Sequence, residues 1–176
     1  MSLFEDTNPR ALKNLLGEIH SRTMVLPDFQ RDFVWEPGAT QELIVSIANN
    51  YPAGSLLRVR DAKRVFAARE FEGAPALNGQ KHTFLVLDGQ QRLKTLLFFY
   101  SGVFNQSPGD RTQRVFKLAN VQEQFEGLTY ETLQERDRLN LDNSVIHATV
   151  VKQDAPPDDD TSMYHIFARL NQGGRR

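Results

Sequence analysis

Thr83-Phe84-Leu85-Val86-Leu87-Asp88-Gly89-Gln90-Gln91-Arg92, continued by Leu93-Lys94-Thr95-Leu96-Leu97-Phe98-Phe99-Tyr100, is the stretch from which the fold is read. An unbroken run of apolar and β-branched residues predicts a buried strand. Leu93, Leu96, Leu97 and Tyr100 then recur at the spacing of one helix face. Between the two lies a polar junction: Asp88 ends the strand, Gly89 permits a sharp turn, and Gln90, Gln91 and Arg92 fall on the first helical turn. A strand-to-helix junction of this composition gathers outward-pointing amides, the positive end of a helix dipole, a carboxylate and a guanidinium. Those are groups that handle phosphate. The plainer alternative is an Asp cap, a Gly turn and ordinary exposed helix formers.

Working outward toward the amino terminus, Asn8-Pro9 precedes Ala11, Leu12, Leu15, Leu16 and Ile19, which predicts a helix capped by Asn8 with Pro9 at its first position. Met24-Val25-Leu26 reads as a short strand stopped by Pro27. In the following Asp28-Phe29-Gln30-Arg31-Asp32-Phe33-Val34-Trp35, the aromatic residues anchor a loop and leave Gln30 and Arg31 presented from it. Arg31 then either clamps a ligand or pairs with Asp28 or Asp32, an exposed pairing that contributes only ~0–1 kcal/mol. Thr40 to Asn50 predicts a helix with Leu43, Ile44, Ile47 and Ala48 inward. Tyr51-Pro52-Ala53-Gly54 stops it, and Ser55 to Arg60 predicts a strand. Residues 61–81 are a mixed polar excursion leading into the central strand.

Toward the carboxyl end, Asn105 to Asp110 is a loop, and Arg114-Val115-Phe116-Lys117-Leu118 alternates as a half-buried strand does. Tyr130 to Leu139 predicts a helix touching the core through Leu133 and Leu139. Val145 to Val151 predicts a strand in which His147 is a packed or edge residue. The aspartates at 158–160 beside Pro156-Pro157 read as a solvated loop, since sequence neighbours do not converge on one ion without a special turn. Met163 to Asn171 predicts a last helix, and the glycines at 173 and 174 free the backbone there for close approach to a ligand.

Bulk properties bound the possibilities. A chain of 176 residues buries one substantial core, so a single domain over 1–176 is expected. With 21 Lys and Arg against 22 Asp and Glu, the formal charge of −1 gives no support to a dedicated duplex-DNA binder. The absence of cysteine excludes disulfides, thiolate metal sites and a cysteine nucleophile. No apolar run approaches a membrane span and the start lacks signal-peptide character, so a cytoplasmic protein is expected, with no membrane partner. The ending Asn171-Gln172-Gly173-Gly174-Arg175-Arg176 reads as a cut within a longer protein.

Four motifs in one order carry a family resemblance: Leu26 to Arg31 with Val34-Trp35, Tyr51-Pro52-Ala53-Gly54, Leu87 to Leu93, and Ile166-Phe167-Ala168-Arg169-Leu170-Asn171. Together they resemble the ParB/sulfiredoxin-like amino-terminal domain of GmrSD-type, modification-dependent restriction and anti-phage proteins. That resemblance implies an α+β fold with a small mixed β-sheet and packed helices. It also implies a nucleotide-binding and NTP-hydrolysing unit that gates a separate carboxyl-terminal or partner nuclease, so that DNA is met indirectly. In the site so implied, Arg92 and the amides near Gly89 hold the triphosphate, and Asp88 orients water or binds a divalent ion, Mg²⁺ by expectation. Gln90 or Gln91 positions the attacking water. Gln30 and Arg31 form a second clamp, and Asn171 reads base or ribose with Phe167 as its packing support. Two alternatives stay open: a nucleotide-sensing switch without hydrolysis, and a ParB-like DNA-binding or nuclease domain. Homodimerisation is left open as well.

Overall fold

The computed structural model describes residues 4–28, 37–61, 67–104 and 114–151. Strand β1 (Phe4–Ala11) runs straight into helix α1 (Leu12–His20). Then come β2 (Met24–Pro27), α2 (Pro37–Ala48), β3 (Ser55–Arg60), β4 (Ala68–Arg69), β5 (Phe84–Asp88) and α3 (Gln90–Ser101). The short strands β6 (Val103–Phe104) and β7 (Arg114–Val115) follow, then α4 (Glu135–Asp142) and β8 (Val145–Val151).

Six strands form one mixed sheet in the order β1-β8-β3-β5-β2-β4, while β6 and β7 pair separately. β2 runs parallel to β5 and β8 parallel to β3, whereas the other neighbours are antiparallel. The class is therefore α+β with a mixed sheet and packed helices. At its centre, β5 is buried on both faces, which is why its sequence is continuously apolar instead of alternating. Phe84 and Val86 join a core with Leu12, Leu15 and Ile19 of α1, Ile44 and Ile47 of α2, Leu93, Leu96 and Phe99 of α3, and Leu141 of α4. Leu85 and Leu87 point the other way, into a second cluster with Val25, Val59 and Val151. Each such side chain contributes about 1.5–3 kcal/mol by leaving water.

The expected helix at Asn8-Pro9 is overturned. Asn8 lies opposite Ala148 and Pro9 opposite His147 in the β1–β8 ladder. β1 is an edge strand, and there a proline forfeits no bond to a second neighbour. The helix starts three residues later, where the Leu12 amide donates to the Ser144 carbonyl at 2.7 Å and Ala11 supplies no side-chain cap. Helix α2 begins earlier than expected, at Pro37, a residue whose fixed φ suits a first helical position.

Around α4 the expectation shifts register. Thr132 Oγ1 accepts from the Thr129 amide at 2.7 Å, a local turn that competes with helix. The helix starts only at Glu135, so Leu141 is buried and Leu139 is left 49% exposed. The strand expected over Arg114 to Leu118 is reduced to Arg114–Val115, although Phe116 and Leu118 are buried. His147 is exposed, on a strand lying between two others instead of at the sheet edge. Among the described residues, no helix is long and apolar enough to cross a membrane.

Candidate functional site

The polar junction lies where the sequence places it. Asp88 is the last residue of β5, exposed and opposite Leu57 of β3. Gly89 adopts φ 101° and ψ 4°, a left-handed conformation that turns the chain at once from strand into helix. The ladder of α3 begins with the Leu93 amide donating to the Gly89 carbonyl at 3.1 Å. Gly89 brings no side chain to cap this helix, and its first turn carries no acidic residue. The positive end of the α3 dipole therefore has no side-chain cap, and Asp88 is the residue just before the turn.

The side chains of the first turn have different surroundings. Gln90 is buried at 7% exposure, and its Oε1 has no hydrogen-bond partner among the described residues. A buried amide carbonyl left so is costly and is a ready acceptor for a water or ligand donor. Gln91 is half-buried. Arg92, partly exposed, reaches across to β3, where Nη2 donates to the Ser55 carbonyl at 2.7 Å. One turn further on, Lys94 is wholly buried and pairs with Glu72 at 3.0 Å, tying α3 to the excursion that precedes β5.

Two participants escape sequence reading. The Tyr51-Pro52-Ala53-Gly54 segment, read as a helix stop and as one motif of the resemblance with no role at the site, lies against Arg92: a Cβ on Gly54 would overlap Nη1 and sit 3.2 Å from Cζ. Gly54 has φ +95°, and the next residue supplies the carbonyl that holds the guanidinium. The signal available was a glycine just ahead of a strand, which marks close backbone approach as readily as a turn. Lys94 was visible as a charge inside an apolar helix, but its partner, 22 residues back, is not local.

Gln30, Arg31, Phe167 and Asn171, with the acidic run at 158–160, lie outside the described residues. The topology does fix where the Gln30 loop departs. Because Met24 pairs with Phe84 and Val25 with Leu85 in parallel, β2 delivers the chain to Asp28 at the sheet end where β5 delivers Asp88. Strand β8 runs the other way, its Val151 lying opposite Val59, so it finishes at the opposite end of the strands from Asp88. Among the described residues no three His, Cys, Asp or Glu gather as a metal cluster.

Comparison with known proteins bears on the chain as a whole. The family described as GmrSD restriction endonuclease, N-terminal domain, matches residues 12–176. An uncharacterized protein of Methanocaldococcus jannaschii, MJ0686, is 36% identical over 104 residues, a match covering 56% of this chain and 18% of the archaeal protein. The chain belongs to the GmrSD restriction endonuclease N-terminal domain family.

Proposed function

We propose that this domain binds a nucleoside triphosphate at the start of α3 and hydrolyses it, and that turnover gates a separate nuclease or DNA-acting domain of a restriction system. The observation that carries the reading is the uncapped amino end of α3 with the Arg92 guanidinium held beside it. A helix terminus and a guanidinium fork are complementary to phosphate oxygens.

The other residues take roles from their surroundings. Gln90, with its unpartnered Oε1, accepts a hydrogen bond from the attacking water, and Gln91 on the same turn is the alternative for that task. Asp88, exposed at the strand end, orients that water or holds a divalent ion. One carboxylate plus phosphate oxygens is a donor set that Mg²⁺ accepts, so Asp88 fits the ion. When bound, Mg²⁺ neutralises charge on the phosphates. Gln30, Arg31 and Asn171 are proposed to complete the pocket as second clamp and base or ribose contact. The family's description as a restriction endonuclease supports a nuclease as the partner; its gating by turnover and the indirect encounter with DNA belong to the proposal.

Phosphate release from ATP, GTP, CTP and UTP with Mg²⁺, compared for the parent, Asp88→Ala and Arg92→Ala, tests the reading. Release by the parent and at least a hundredfold loss in each variant is expected, about the scale of removing a positioned charge from a reacting centre. Release that persists unchanged in both variants discards the site. Tight binding without release reduces the function to nucleotide sensing.

A further inference from the structure

The Arg92 guanidinium is bracketed by two glycines from separate segments. On one side lies Gly54, where a Cβ would overlap Nη1. On the other lies Gly89, where a Cβ would stand 3.6 Å from Nη2, 3.4 Å from the Ser55 carbonyl and 3.2 Å from Leu56 Cδ1. Both glycines have positive φ, +95° and +101°, a conformation that L side chains rarely adopt; Gly54 turns its open face to the guanidinium, and Gly89 turns its own chiefly to Leu56 and the Ser55 carbonyl. The Ser55 carbonyl takes one donor at 2.7 Å, one of the five that an arginine carries.

A planar fork binds two oxygens at once only if its plane is fixed before the ligand arrives. We propose that Gly54 is a positioning residue: its missing side chain, with the Ser55 carbonyl, sets the plane of the Arg92 guanidinium beside the α3 terminus so that the remaining donors meet phosphate. This rests on the nucleotide reading above. It gives the Tyr51-Pro52-Ala53-Gly54 turn a task at the site beyond ending α2. A methyl group at position 54 meets the guanidinium and displaces it.

The test is a cycle of four proteins: parent, Gly54→Ala, Arg92→Met, and both together. Thermal midpoints without nucleotide come first. Backbone strain at φ +95° lowers the midpoint equally in either background, whereas overlap with the guanidinium lowers it more when Arg92 is present. The larger drop in the Arg92 background is expected, and equal drops overturn the contact. Calorimetric titration with each of ATP, GTP, CTP and UTP plus Mg²⁺ comes second. Gly54→Ala is expected to weaken binding about tenfold, the scale of one weakened hydrogen bond to a charged group. The double variant is expected to bind no more weakly than Arg92→Met. Parent-like affinity in folded Gly54→Ala overturns the positioning role. Absence of binding by the parent overturns the nucleotide reading and the task given to Gly54, while the midpoints still report whether the contact exists.

Discussion

The antiparallel pair of β3 and β5 has an aspartate at each end, and the two ends are built oppositely. Beyond the Arg60–Phe84 end, Asp61 is completely buried and lies 2.8 Å from Nε2 of His82, itself 7% exposed. At the Leu57–Asp88 end, Asp88 is exposed beside a turning glycine and an open helix terminus. A carboxylate removed from water must be paired, so Asp61 is committed to holding the strands together. Asp88, exposed, bears no such obligation. A third case stands between them: Asp142, partly buried, accepts from Tyr100 at 2.6 Å and from Tyr130 at 2.8 Å, with the two rings stacked 4.2 Å apart.

If burial sorts these carboxylates by duty, substitution should sort them by stability. Asp61→Ala leaves His82 buried without this partner and is expected to cost about 3 kcal/mol in urea unfolding. Asp142→Ala strands two tyrosine hydroxyls and is expected to cost about 2 kcal/mol in the same measurement. Removing one of those donors, as in Tyr130→Phe, should cost about 1 kcal/mol. Asp88→Ala is expected to shift unfolding by no more than about 0.5 kcal/mol, with phosphate release lowered by about a hundredfold or more. A destabilisation by Asp88→Ala that equals that of Asp61→Ala would break the comparison.

The Asp142 cluster also makes a pH prediction. Burial, the hydrogen bond to Asp142 and its charge push the Tyr130 phenol from 10.0 up to about 12 and raise Tyr100 further still. Each phenol thus ionises more readily in the unfolded chain. The contribution to stability is complete below about pH 10 and is lost as pH rises from there through about 12. Urea midpoints measured from pH 8 upward should fall above 10, and less steeply in Tyr130→Phe.

Legibility in the sequence followed the range of the interactions. The β5–α3 unit was readable because its strand, turn and helix signals are contiguous and all refer to one local path. Asn8-Pro9 misled for the opposite reason. A cap followed by proline is the mark of a helix start, and the strand that claims it, β8, lies at the other end of the described chain. The polar residues of the site were named from the junction itself. Gly54 was read as part of a turn and of a family motif without a task, because its contact depends on a guanidinium brought over from another element. The Asp61–His82 pair left no signal either, since 21 residues separate two polar groups that only the strand register brings together.

That same β1–β8 ladder carries a consequence for synthesis. Thr7 and Thr149, whose hydroxyls meet at 2.8 Å, stand 142 residues apart in the chain. β8 is also the strand that separates β1 from β3. On the ribosome, therefore, β1 and one edge of β3 must wait, unpaired, until nearly all of the described chain has emerged. Closing so distant a contact is slow and leaves strand edges open meanwhile. The sheet of this domain is completed only by the last strand to be translated among those described.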